Sequence, residues 1–254
     1  MEVVNLKEYE GIPVNTVGDN VQETGAFLVV DKPYRWTSAD VVRKVKVMLR
    51  QHYGLRDVKV GHSGTLDPLA TGVLTICLGR KATRLAETLQ DHPKTYLTGI
   101  LLGATTPCFD LEKEIDQIYP WEHITADKVK TVLASMIGEQ DQIPPIFSAK
   151  MIDGHRAYNI ARRGEVVEMK PNRITIWDAS IESIELPLVT VLLKCSKGTY
   201  VRSFGRDLGE ILNSGAHLIS LRRLSSGPFS VDESLTVDDL EQKFSEKFSV
   251  ERNK

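Results

Sequence analysis

Apolar residues change their spacing repeatedly along this chain, and each change marks an element. Ala26–Val30 is an unbroken apolar run and predicts a strand. Val41, Val42, Val45 and Leu49 then recur at helical spacing, with Ser38 placed to cap that helix and Gly54 to end it. Val58–Val60 and Gly72–Leu78 are strand-like. Between them the glycines and proline of Gly61-His62-Ser63-Gly64-Thr65-Leu66-Asp67-Pro68 predict a loop. Ala82, Leu85, Ala86 and Leu89 predict a helix over 80–89, and Lys94–Leu102 another strand. Thr125 caps a helix carrying Val129, Val132, Leu133 and Met136, closed by Gly138. Residues 141–153, rich in Pro, Ser and Gly, read as a long loop; a short helix follows to Arg163, stopped by Gly164. Two or three strands fill 165–196. Thr199–Leu212 predicts an amphipathic helix with Val201, Phe204, Leu208 and Ile211 inward, before a strand over 217–224 and a last helix over 236–247. Residues 1–24 show no clear periodicity and read as an extension. Runs of strands broken irregularly by helices predict an α+β fold with a mixed, mostly antiparallel sheet flanked by helices and loops.

Composition narrows the class. The chain has 254 residues, 41% hydrophobic and 26% charged, enough for a full core. Cys77, Cys108 and Cys195 are odd in number and scattered. That argues against a disulfide framework and against a thiolate zinc site, and fits a reducing compartment. The first residues, MEVVNLKEYE, carry acids and no apolar stretch, so they do not read as a signal peptide. No apolar run approaches membrane-spanning length, and a cytoplasmic location without a membrane partner is expected. The net charge of −2 is unevenly spread: residues 1–25 carry −4 and 232–254 carry −3, leaving +5 on the body between. A basic body between acidic ends is compatible with a nucleic-acid partner.

Four segments concentrate polar and special-geometry residues where a core needs none. They are Asp31-Lys32-Pro33 with Trp36-Thr37-Ser38; the GHSGTLDP loop with Ala70-Thr71-Gly72; Gln142 to Lys150 with Gly154 and Ala157-Tyr158; and Lys197-Gly198-Thr199-Tyr200-Val201-Arg202. In this order, together with Lys94-Thr95-Tyr96 and Leu221-Arg222-Arg223, they resemble the TruB-type tRNA pseudouridine synthase family, over about Phe27 to Phe229. The resemblance implies the pseudouridine synthase fold, with residues 25–254 as catalytic domain, residues 1–24 as an acidic extension, an RNA-gripping insert near 141–165, and no C-terminal PUA domain. It implies isomerisation of a uridine in the T-loop of tRNA, by breaking the N-glycosidic bond and rejoining the base through C5. Asp67 falls on the family's catalytic aspartate, able to act as nucleophile or as base. Arg202 falls on the arginine that pairs with it, which would keep the carboxylate ionised in a dry site. Tyr96 matches the aromatic that stacks on the target uracil. Tyr200 and Leu221 match pocket residues, and His62 the histidine that stacks against bases displaced by flipping. Lys32, Lys150, Arg162 and Arg163 complete the expected RNA-binding set. The reaction has no redox change and needs no electron sink, so no cofactor and no metal are expected. The expected partner is the tRNA T-arm, with no obligate protein partner and a monomeric chain.

The chain departs from the family pattern in places. Arg35 stands where glycine is usual, so the turn after Pro33 is expected to differ, and Pro107-Cys108 replace Asp and Thr, which should alter hydrogen bonding in that loop. Taken singly, the residues have plainer readings. Asp67 before Pro68 suits a turn, His62 a structural loop histidine, Tyr96 a core strand residue, Arg202 a solvated helix face, and Arg222-Arg223 surface charge. A non-catalytic RNA-folding module, guide-directed modification of ribosomal RNA and an aspartate hydrolase are the competing functions. The last would want a second carboxylate or a metal cluster beside Asp67.

Overall fold

The computed structural model describes residues 9–148, 151–152, 155–156 and 169–252. The chain divides into two compact units: Met1–Lys94 together with Arg222–Lys254, and Thr95–Leu221. The first opens with α1 (Val21–Thr24), β1 (Ala26–Lys32), α2 (Ser38–Tyr53), β2 (Val60–Ser63), β3 (Thr71–Leu78), α3 (Gly79–Arg84) and α4 (Ala86–Asp91). The second holds β4 (Lys94–Leu102), β5 (Ala104–Thr105), β6 (Gln117–Ile118), α5 (Ala126–Ser135), β7 (Gly138–Gln142), β8 (Met151–Ile152), β9 (His155–Arg156), β10 (Asn172–Glu185), β11 (Leu188–Cys195) and α6 (Val201–Ile211). Strand β12 (Ala216–Ser226) carries the chain back to the first unit, which closes with β13 (Phe229–Ser230), a 3-10 turn at Val231–Glu233 and α7 (Val237–Arg252).

In the first unit β3 is the centre. It pairs antiparallel with β1 from Ala26↔Leu78 to Lys32↔Gly72, and antiparallel with β2 from Val60↔Leu78 to Ser63↔Thr75. Its first residues pair in parallel with β12, Thr71 with Arg222 and Gly72 with Arg223. Every residue from Gly72 to Leu78 is buried, which explains an apolar run without alternation. In the second unit the strand order is β12-β4-β11-β10-β7. The β10–β11 hairpin is antiparallel, with register shifts at Ile176/Asp178 and Ile181/Ser183. Ile174, Ile176, Val189, Val191 and Leu193 face its core.

Several sequence expectations need correction. Residues 9–24, read as an extension, pack onto the unit: Tyr9 and Ile12 are buried in one cluster with Phe27, Cys77 and Phe229. The few apolar residues there follow no helical or strand period. The cap of α2 is Thr37, whose hydroxyl accepts from the Asp40 N–H while the Asp40 carboxylate accepts from the Thr37 N–H, a complete capping box. Ser38 is freed for another contact. Gly61-His62-Ser63 belongs to β2, not to the loop, and Gly138 opens β7. The helix expected over 80–89 breaks at Leu85 into α3 and α4. In α6 Val201, Phe204 and Leu208 are buried but Ile211 is 49% exposed and Leu212 takes its place. Ile211 lies about 80° around the helix from Val201, whereas Leu212 is only about 20° away. The helix expected to end at Arg163 lies mostly outside the described residues, and His155–Arg156, within it, is strand.

Candidate active site

The loop 64–70 carries Asp67, which is half-buried. Its backbone is held from several sides. Ser38 Oγ accepts from the Leu66 N–H at 2.9 Å and donates to the Leu66 carbonyl at 3.2 Å. The Ala70 N–H donates back to the Asp67 carbonyl at 3.1 Å. Lys32 is buried, with its ammonium donating to the carbonyls of Pro33 (3.0 Å), Pro68 (3.2 Å) and Trp36. Burial pushes the Lys32 pKa down to about 8, and the negative charge of Asp67 pulls the other way. Lys32 was expected to touch RNA. Its side chain is buried and its ammonium donates to carbonyls around Asp67, so it supports the loop.

Asp31 and the arginine pair fasten the far side. Asp31 accepts from Arg222 at 3.0 and 2.6 Å and from the Gly72 N–H at 3.1 Å. Arg223 donates to the Val73 and Gly64 carbonyls at 2.7 and 3.1 Å. Arg223 is among the largest buried side chains, so the surface reading of this arginine fails. A cavity of about 560 Å³ lies in the same unit, lined by Asp31, Lys32, Trp36, Lys44, Thr71 and Arg222. His62 sits half-buried on β2 opposite Ile76.

The second unit holds Tyr96, Tyr200, Arg202 and Leu221. Tyr96 is on β4 and 9% exposed; Leu221 is partly buried on β12. Tyr200 is the cap residue of α6, and its N–H donates to Gln142 Oε1 at 2.8 Å. Arg202 follows in the first turn and is buried. Its guanidinium donates to the carbonyls of Cys108 (3.0 Å) and Phe147 (2.8 Å) and lies 3.6 Å from the Asp110 carboxylate. It is no solvated helix face. The Cys108 thiol donates to the Asp110 carbonyl at 3.4 Å, and burial raises its pKa, so it stays a thiol. The substituted loop is thus fastened through Cys108 itself. Ser203 Oγ donates to the Ile143 carbonyl at 2.8 Å, so α6 grips the start of the segment expected to hold RNA. Lys150, Arg162 and Arg163 lie outside the described residues.

Sequence reasoning placed Asp31, Ser38 and Arg223 inside its motifs but gave none of them a part in holding the site, and it assigned Asp110 no role; each holds backbone or an ion pair.

Residues 50–201 match the N-terminal domain of TruB family pseudouridylate synthases, and 202–252 match the tRNA pseudouridylate synthase B C-terminal domain. The α+β pseudouridine synthase fold expected from the motifs is the one observed, and the chain belongs to the TruB family. The tRNA pseudouridine synthase B of Phocaeicola vulgatus is 50% identical over 214 residues, 84% of this chain and 91% of that one. That of Parabacteroides distasonis is 45% identical over 217 residues, 85% and 92% respectively. A solved Cbf5-Nop10-Gar1 complex contains a chain with TM-score 0.68 and 27% identity, covering 94% of this chain and 63% of that one. Among the described residues no helix is long and apolar enough to cross a membrane.

Proposed function

We propose that this protein isomerises uridine to pseudouridine in tRNA, at the T-loop uridine (position 55 in standard tRNA numbering), with Asp67 as the essential carboxylate. The observation that carries the reading is the Asp67 loop: a half-buried carboxylate whose neighbours Leu66 and Pro68 are both fastened by buried side chains. Kinship with enzymes named tRNA pseudouridine synthase B supports the substrate class.

The chemistry asks little beyond such a carboxylate. The glycosidic bond breaks, the base turns over, and C5 replaces N1 at the ribose, C5 giving up a proton and N1 taking one; the atoms balance with no net redox change, so the chain's own residues suffice. Asp67 acts on the ribose or the base as nucleophile or as base. Tyr96 and Arg202 are its catalytic companions on the strength of the motif match alone. His62, Tyr200 and Leu221 serve the flipped uridine and its displaced neighbours. The insert with Lys150, Arg162 and Arg163 grips phosphates. The partner is tRNA, without an obligate protein subunit and with the chain as a monomer in the cytoplasm.

The test is an unmodified tRNA transcript incubated with the protein and mapped for pseudouridine. The unaltered protein should modify the T-loop uridine. Asp67→Asn, nearly isosteric, should lose at least ~10³-fold in turnover while binding tRNA about as well. Absence of T-loop modification by the unaltered protein overturns the function, and turnover of Asp67→Asn within tenfold overturns the role of Asp67.

A further inference from the structure

Two buried side chains that the isomerisation does not itself require are spent on the backbone around Asp67. Arg223 is 1% exposed. Its Nε donates to the Val73 carbonyl at 2.7 Å and its Nη2 to the Gly64 carbonyl at 3.1 Å. Gly64 follows the last residue of β2 and Val73 lies just inside β3, so one guanidinium joins the two ends of the Asp67 loop. A planar fork can meet two carbonyls at once, which a lysine ammonium on its flexible stem does far less well. Ser38, 3% exposed, holds the loop at its apex. Its bond to the Leu66 carbonyl holds the peptide group that joins Leu66 to Asp67, and its bond from the Leu66 N–H holds the peptide group before it.

Stability alone does not account for this arrangement. Desolvating a guanidinium costs several kcal/mol, and apolar residues of similar volume commonly serve a core as well or better. What an apolar replacement could not do is fix the direction of two carbonyls. The neighbouring Arg222 is different: it is paired with the Asp31 carboxylate and lines an open cavity.

We propose that Arg223 and Ser38 are positioning residues for the isomerisation. Arg223 sets the span of the Asp67 loop, and Ser38 sets the orientation of the peptide from which the carboxylate projects. The inference rests on Asp67 being the catalytic carboxylate. A misplacement of about 1 Å in a catalytic group costs about 10²-fold in rate, and loosening either contact permits movement on that scale.

The experiment compares Ser38→Ala, Arg223→Lys and Asp67→Asn with the unaltered protein, using unmodified tRNA transcript. It reads kcat from single-turnover reactions at saturating enzyme, KM, tRNA affinity and the thermal midpoint, at a temperature where all are folded. Ser38→Ala and Arg223→Lys should lower kcat roughly ten- to a hundredfold, with KM and tRNA affinity within about threefold. A merely structural role would change the midpoint and leave kcat of the folded protein untouched. If both variants turn over within about twofold of the unaltered protein while Asp67→Asn is dead, the positioning roles are wrong and Asp67 stands. If the losses fall in KM alone, the residues serve binding and the inference is likewise overturned. If Asp67→Asn is active, the assignment beneath it fails first. Should Arg223→Lys not fold, the inference stands or falls with Ser38→Ala.

Discussion

Gly72 offers a measurement in which conformational strain and steric overlap can be separated. It has φ of +99° and lies where β3 pairs in parallel with β12. An added Cβ would stand 2.2 Å from the Arg223 carbonyl oxygen, 2.8 Å from its nitrogen and 2.9 Å from its carbonyl carbon. All three are backbone atoms of a paired strand, so none can swing aside. Gly54, at the end of α2, has φ of +65° and nothing within 4 Å of the same Cβ. Gly54→Ala therefore carries only the left-handed backbone cost of about 1–2 kcal/mol, offset by about 0.4–1 kcal/mol from a less flexible unfolded chain. A net loss near 1 kcal/mol is expected. Gly72→Ala carries a similar conformational term and the cost of forcing a methyl group into packed backbone, about 1–3 kcal/mol and towards the upper end here. Its expected loss is about 3–4 kcal/mol, so the two variants should differ by roughly 2–3 kcal/mol. Urea titrations at constant m give both values from the shift in midpoint. If Gly72→Ala costs no more than Gly54→Ala, the close approach of Arg223 to Gly72 is wrong.

Arg35 has φ of 66°, in the region glycine favours, with its guanidinium 5.5 Å from the centre of the exposed Tyr34 ring. The turn thus holds arginine in a conformation that suits glycine, and Arg35→Gly should be neutral or stabilise by up to about 1 kcal/mol; a loss above about 1 kcal/mol in the same titration would refute this. Lys32 should titrate near pH 8 in the folded protein, against 10.5 for an ordinary lysine. Because the folded pKa is the lower one, the burial penalty is in full force below pH 8. It is relieved as pH rises towards 10.5, where the unfolded chain holds the extra proton, so the Lys32 contribution to stability rises across that window. Side-chain NMR of the lysine ammonium groups follows the titration, and a Lys32 midpoint at or above 10.5 would contradict it.

The sequence was most legible where one face of an element meets one core. Lys94–Leu102 is a strand with the bounds its apolar pattern indicates, and the α2 stripe of Val41, Val45 and Leu49 is buried. Legibility fell where a residue serves backbone in place of a face. Ser38 looks like a cap because caps are what serines at helix starts usually provide; its bond to Leu66 comes from 28 residues away in sequence. Arg223 looks like surface charge because nothing local shows that it is buried under Gly64 and Val73. Ile211 and Leu212 were both apolar, and only the exact phase of α6 decides between them. For the site, the motifs singled out the Asp67 loop and Lys32, but that the Lys32 ammonium is held by three backbone carbonyls is visible only in the fold.

The first unit is assembled from both sides of the second in sequence, and this has a consequence for the time course of synthesis. The Arg223 contacts with Val73 and Gly64 span 150 and 159 residues, and the parallel neighbour of Thr71 and Gly72 is made at the same late moment. A nascent chain that has already produced Asp67 therefore lacks the strand beside it until translation has passed through the whole of Thr95–Leu221. Contacts of such separation are slow to form, because a long loop must close before they contribute anything. Activity should appear on the ribosome late and abruptly, and chains released before residue 223 should be inert towards tRNA even though they contain the carboxylate.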